Sequence, residues 1–134
     1  MITNNSDIMN RQSLNSADNE IVRLFDELGL CRTFSKTLMY ISKVKHCRSV
    51  DIEKGANVSQ CEVSRATRQL TKLGLIDMTL HYDGKKGRPI TFFHLKKDTD
   101  SVIAYFQKQK QDEMKRNQQK IQKLKTLFSQ QKNN

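Results

Sequence analysis

No stretch of this chain approaches the roughly 18 consecutive apolar residues of a membrane span, and the N-terminus lacks an apolar signal core. The expectation is a cytoplasmic protein with no membrane partner. Cysteine is scarce: Cys31, Cys47 and Cys61 stand far apart with no Cys-x-x-Cys pair, which argues against a disulfide framework and a zinc site. Hydrophobic residues make up only 36% of the 134, so part of the chain is expected outside a compact core. No Ser/His/Asp or Cys/His grouping is visible, and His46, His81 and His94 are isolated in sequence. Acids such as Asp51, Glu53 and Glu62 fit helix caps and helix-dipole positions. No catalytic residue, metal ligand or cofactor is predicted.

Positive charge is plentiful, and its placement is informative. The net charge is +10, yet residues 1–42 carry four basic and five acidic groups, close to neutral. Residues 43–72 carry seven and three, residues 81–97 five and one, and residues 98–134 eight and four, each a net +4. A charge that begins at one point in the chain and continues past it suits a polyanionic partner. A cationic tail serving solubility is the plainer alternative.

That boundary falls just before Ser59–Gly74. Ser59 and Glu62 have the capping-box spacing that satisfies amide donors at a helix start. Val63, Ala66, Leu70 and Leu73 follow as one apolar stripe, and Gly74 supplies a left-handed stop. The opposite face carries Gln60, Cys61, Ser64, Arg65, Arg68 and Lys72. Side chains of this kind, presented from the first turns of a helix, are what reading a DNA major groove requires. An ordinary solvated face is the alternative.

Residues 1–17, rich in Asn and Ser, are predicted to be a flexible arm. Asp18 is expected to cap a helix with a core stripe of Ile21, Leu24, Phe25 and Leu28, ending at Gly29. Thr33 or Ser35 starts another, with Phe34, Leu38, Ile41 and Val44 inward. Ser49–Ala56 reads as a short helix, and Gly55 and Asn57 are expected to supply left-handed conformations for a tight turn into the Ser59 helix. Together they form a helix-turn-helix unit. The period then shifts towards two: Ile76, Met78 and Leu80 share one strand face, and Ile90–Leu95 returns as a second strand. Between them, Lys85, Lys86 and Arg88 decorate a Gly-containing tip suited to a phosphate backbone, with Arg88 able to enter a minor groove.

From Asp98 to about Phe128 the chain contains no Gly or Pro and reads as one helix. A helix of about 30 residues is roughly 45 Å long, too long to lie wholly against so small a domain. Ile103, Phe106, Met114, Ile121, Leu124 and Phe128 form an imperfect coiled-coil-like seam, for which a homodimer is the expected cover. The predicted organisation is an arm at 1–17, a body at 18–97, a dimerisation helix at 98–129 and a disordered tail at 130–134.

Asp51-Ile52, Val58-Ser59, Val63-Ser64-Arg65-Ala66, Leu70, Leu73-Gly74-Leu75-Ile76 and Lys86-Gly87-Arg88-Pro89 together resemble the winged helix-turn-helix regulators of the MarR, ArsR and TrmB superfamily. The long Lys- and Gln-rich helix after the wing is most like TrmB-type and related archaeal regulators. Asn57 departs from the glycine usual at that turn, and the resemblance does not extend to the TrmB sugar-binding domain. The resemblance implies a mainly α domain with a small β-hairpin wing and a long C-terminal helix. It also implies a homodimer placing two Ser59–Leu73 helices in successive major grooves of double-stranded DNA. From the residues themselves, base-edge contacts fall to Gln60, Ser64, Arg65 and Arg68. Backbone contacts fall to Ser49, Lys72, Lys85, Lys86 and Arg88, joined by Lys43, Lys45 and Arg48. Cys61 is either a small polar filler or a thiol whose oxidation blocks binding. A protein-interaction adaptor and a nonspecific chromatin-like binder are the competing functions, and the sequence names no small-molecule effector.

Overall fold

Asn15, not Asp18, opens the first described helix in this computed structural model, which describes residues 13–82 and 87–132. The Asn15 side-chain oxygen accepts from the Asp18 N–H at 2.9 Å, and the Asp18 carboxylate accepts from the Asn15 N–H at 3.0 Å. This reciprocal box satisfies donors that a helix start leaves open. The helices are α1 (Ser16–Glu27), α2 (Arg32–Val44), α3 (Ser49–Gly55) and α4 (Gln60–Lys72). Strands β1 (Ile76–His81) and β2 (Ile90–Leu95) follow, and α5 (Thr99–Lys132) closes the order. The chain divides into two units, a body ending at Thr99 and a helical unit from Asp100.

In the body, the core gathers on α2, α3, α4 and the start of β1. Leu38, Ile41, Ile52, Ala66 and Leu70 are wholly buried, with Val63 and Ile76 at 1% exposure. Each of the Val, Leu and Ile side chains contributes about 1.5–3 kcal/mol by leaving water. Ser35 and Thr37 are also buried, and their hydroxyls return to the Leu30, Cys31 and Thr33 carbonyls. The stripe expected on α1 behaves otherwise. Ile21, Leu24 and Leu28 are exposed, and the buried α1 positions are Val22 and Asp18. Asp18 is covered because Lys43 Nζ meets its carboxylate at 2.7 Å. Burial alone would raise the Asp18 pKa, but the Lys43 hydrogen bond, the Asn15 N–H and the Lys43 charge together hold it below its ordinary value.

The turn from α3 to α4 uses its two expected residues differently. Asn57 has φ 55°, the left-handed conformation that asparagine tolerates. Gly55 does not: its backbone is helical, and a Cβ there would run into the Tyr40 ring. Gly55 is needed for space, not for φ. Gly74 takes φ 78° after α4, as a helix-stopping glycine does.

The hairpin pairs Ile76 with Leu95 and Met78 with Phe93 in antiparallel register. Only the base of its expected apolar face is covered, since Met78 and Leu80 remain half exposed while Ile76 is buried. A two-residue bridge links Cys47 and Phe93, with Cys47 N–H donating to the Phe93 carbonyl at 3.1 Å and Phe93 N–H returning at 2.7 Å. Burial, with the Asp51 charge second, pushes the Cys47 thiol up to about 12. The histidines are not all isolated: the His46 and His94 rings lie 5.4 Å apart, and the His94 Nε2 meets the Thr79 hydroxyl at 2.9 Å.

The unit from Asp100 is helix throughout its described length, and α5 extends to Lys132, beyond the Phe128 end expected from the apolar pattern. At 34 residues it is about 51 Å long. Five of the six expected seam residues, Ile103, Met114, Ile121, Leu124 and Phe128, are 52–62% exposed, and Leu127 joins them at 47%. Phe106 is the correction, being buried and edge-on to the neighbouring Tyr105 ring. No helix among the described residues is long and apolar enough to cross a membrane.

Candidate nucleic-acid interface

α4 starts where the sequence places it. Ser59 Oγ accepts from the Glu62 N–H at 3.2 Å, and Glu62 Oε1 accepts from the Ser59 N–H at 2.9 Å. The other carboxylate oxygen accepts from the Thr33 hydroxyl of α2 at 3.0 Å. The Ser59 N–H is the main cause holding the Glu62 carboxyl below the usual glutamate range, followed by the Ser59 side chain, Thr33 and the Lys36 charge. The helix is therefore fixed at its first turn both locally and to a second helix. Nothing local in the sequence marks Thr33 for this role, because its partner lies 29 residues away.

With that start fixed, Val63, Ala66, Thr67 and Leu70 turn inward. The Thr67 hydroxyl is satisfied by the Val63 carbonyl at 2.8 Å. Every residue expected on the outer face is exposed, in two rows spaced by one turn: Gln60, Ser64, Arg68 and Lys72 in one, Cys61, Arg65 and Gln69 in the other. Gln69 was not foreseen there. From Gln60 to Lys72 the rows run about 18 Å. The face carries three cations, and the carboxylate at its start is engaged by Ser59 and Thr33. Chemically it can donate bidentate hydrogen bonds from two guanidinium groups, and both donate and accept through the Gln60 and Gln69 amides and the Ser64 hydroxyl.

The surrounding residues divide. Ser49 lies at the first turn of α3 and is half-buried, and Lys45 is exposed after α2 with φ 77°. Arg48 is exposed with its guanidinium 3.6 Å from Asp51. Lys43 is removed from the phosphate-contact set, because it is half-buried against Asp18 and the Ser13 carbonyl. Arg88 is exposed between the strands, whereas Lys85 and Lys86 lie outside the described residues. Cys61 is exposed on the outer face of α4, as is Cys31 before α2. Among the described residues, no cluster of three or more His, Cys, Asp or Glu side chains is placed to hold a metal.

No family model matches the sequence, and no curated protein matches it. Solved structures do. The chain is similar to a possible transcriptional regulator from Methanosarcina mazei Go1, with a TM-score of 0.62 and 15% identity over 78% of this chain and 87% of that one. It is similar to a second structure described as a transcriptional regulator, with a TM-score of 0.51 and 18% identity over 84% of this chain and 69% of that one. An adhesin competence repressor from Streptococcus pyogenes overlaps more loosely, with a TM-score of 0.46 and 18% identity over 81% and 84%. At these identities the likeness establishes the fold alone. The helices, antiparallel two-stranded wing and long C-terminal helix are a winged-helix architecture, and the overlap with the Methanosarcina structure supports that fold.

Proposed function

We propose that this protein is a sequence-specific, double-stranded DNA-binding transcriptional regulator of the MarR, ArsR and TrmB superfamily, resembling its archaeal TrmB-type members. It acts in the cytoplasm as a homodimer, with no catalytic step and no cofactor. The observation that carries this reading is the outer face of α4, where Gln60, Ser64, Arg65, Arg68 and Lys72 are all exposed behind a doubly anchored helix start. In the major groove, Arg65 and Arg68 suit guanine edges and Gln60 suits adenine. Ser49, Lys72, Arg88 and the wing lysines Lys85 and Lys86 meet phosphates, which orient the helix without reading sequence. The exposed apolar residues of α5 support the dimer, since a helix with Ile121, Leu124 and Phe128 in water gains by being covered. The reading is tested by selecting tight binders from randomised duplexes and titrating the selected and scrambled sequences at several salt concentrations. A specific regulator yields a reproducible, two-fold-related site and affinity that falls steeply with salt. A selected-to-scrambled ratio near one would make it a nonspecific binder, and no binding at low salt would leave the adaptor role.

A further inference from the structure

A second site lies in the body away from the outer face of α4. One flank of α1, the first turns of α2 and the end of α3 with its turn enclose an open cleft of about 750 Å3. That is the size of small-ligand sites, roughly 300–1,000 Å3. Its charged lining is predominantly cationic: Arg23, Arg32, Lys36 and Lys54 against Glu20 and Asp26. Glu20 is occupied by Arg23 at 3.0 Å. Arg32, Lys36 and Lys54 come from two different helices, and among the described residues none of them forms an ion pair within 4.0 Å. Like charges converging on one concave surface repel each other, and a ligand of opposite sign relieves that repulsion.

The cleft is also wired to the α4 start. Arg32 and Lys36 line it, and Thr33 between them donates to Glu62 at 3.0 Å. Lys54 and the left-handed Asn57 line it from the other side, immediately before the Ser59 cap. A ligand that draws Arg32 and Lys54 together therefore acts on both supports of the α4 N-terminus, the Thr33 hydroxyl and the α3–α4 turn.

We propose that this cleft binds a small multivalent anion bearing carboxylate or phosphate groups, through Arg32, Lys36 and Lys54, and that occupancy shifts the capped start of α4. Its meaning as an effector input rests on the DNA-binding reading above, but its test uses no DNA, so either can fail without the other. The full chain is titrated with citrate and separately with pyrophosphate at constant ionic strength, followed by calorimetry and by backbone amide NMR shifts. The two probes distinguish carboxylate from phosphate preference. Saturable binding is expected, with shifts at Asn19, Arg32 and Asn57 and, in step with them, at Thr33, Ser59 and Glu62.

The double variant Arg32→Ala/Lys54→Ala weakens binding at least about tenfold, since each lost cation removes a charge-assisted contact. Lys120→Ala/Lys123→Ala, an equal loss of charge on α5, leaves it unchanged. Asp26→Asn, which removes an acid from the lining, tightens it. Thr33→Val retains binding but loses the linked shifts at Ser59 and Glu62. The proposal is overturned if neither probe saturates in the millimolar range, if the α5 double variant weakens binding equally, or if the shifts centre on Arg65 and Arg68. It is overturned in its second half if the cleft saturates while Ser59 and Glu62 stay still.

Discussion

α4 is 13 residues long and buries Val63, Ala66, Thr67 and Leu70; α5 is 34 residues long and leaves Ile103, Met114, Ile121, Leu124, Leu127 and Phe128 exposed. Both are rich in Lys and Arg. In α4 the apolar stripe is matched by the chain's own core, so only the polar side faces outward. In α5 most of the apolar groups are themselves left over. Cationic composition alone does not distinguish a surface that reads a ligand from one that awaits a second chain. The fate of the apolar side does.

The largest expected effect breaks this contrast at its base. Leu70→Ala, at a wholly buried site, should cost about 2–5 kcal/mol of folding stability in urea denaturation, because it leaves a cavity as well as losing transfer energy. Leu124→Asp, at a site 52% exposed, should leave monomer stability nearly unchanged and instead shift the sedimentation mass from two chains to one. A Leu124→Asp protein that remains dimeric would remove α5 as the seam.

Next is the pair that ties α1 to α2. Asp18→Asn should cost about 1.5–3 kcal/mol near neutral pH, the range for a hydrogen bond to a charged group. The Asp18 pKa is depressed from 3.8 and that of Glu62 from 4.5, so each carboxylate contributes stability that is complete above its ordinary value. That contribution is lost as pH falls through the lower folded value. Thermal melts of wild type and Asp18→Asn should therefore converge as pH drops below about 4.

The two glycines sharpen the same point at smaller scale. Gly55→Ala should cost about 1–3 kcal/mol by pushing on the Tyr40 ring, an overpacking effect. Gly74→Ala meets open space and should cost about 1–2 kcal/mol from its left-handed backbone alone. A second-site Tyr40→Leu substitution should rescue the first and not the second. Smallest in energy, thiol labelling of the native protein should modify Cys31 and Cys61 and spare Cys47, whose burial holds its proton. If Cys61 is a redox switch, peroxide abolishes duplex binding and Cys61→Ser escapes.

The legible parts of the fold were those fixed by neighbours in sequence. Ser59 and Glu62 are three apart, and the box they form is local. Gly74 stops a helix by its own backbone, and Asn57 supplies a left-handed residue at the α3–α4 turn. The α4 face was legible because helical spacing sorts inward from outward residues once the stripe is clear. Periodicity failed at α1, where Ile21, Leu24 and Leu28 keep the right spacing, but spacing does not say whether the covering surface belongs to the same chain. Sequence alone offers Lys43 as a phosphate contact because its partner Asp18 sits 25 residues away. The need for Gly55 is not legible locally because the Tyr40 ring arrives from another helix. The cationic cleft has no signature in the sequence for the same cause, since Arg32 and Lys54 line one concave surface only in three dimensions.

Arg65 is where the central claim is most exposed. Wild type, Arg65→Ala and Lys86→Ala should be titrated side by side against one selected duplex and its scrambled counterpart. Arg65→Ala is predicted to lose about 1–3 kcal/mol on the selected duplex with little change on the other, whereas Lys86→Ala weakens both alike. Equal losses on the two duplexes for Arg65→Ala would contradict a reading role for α4.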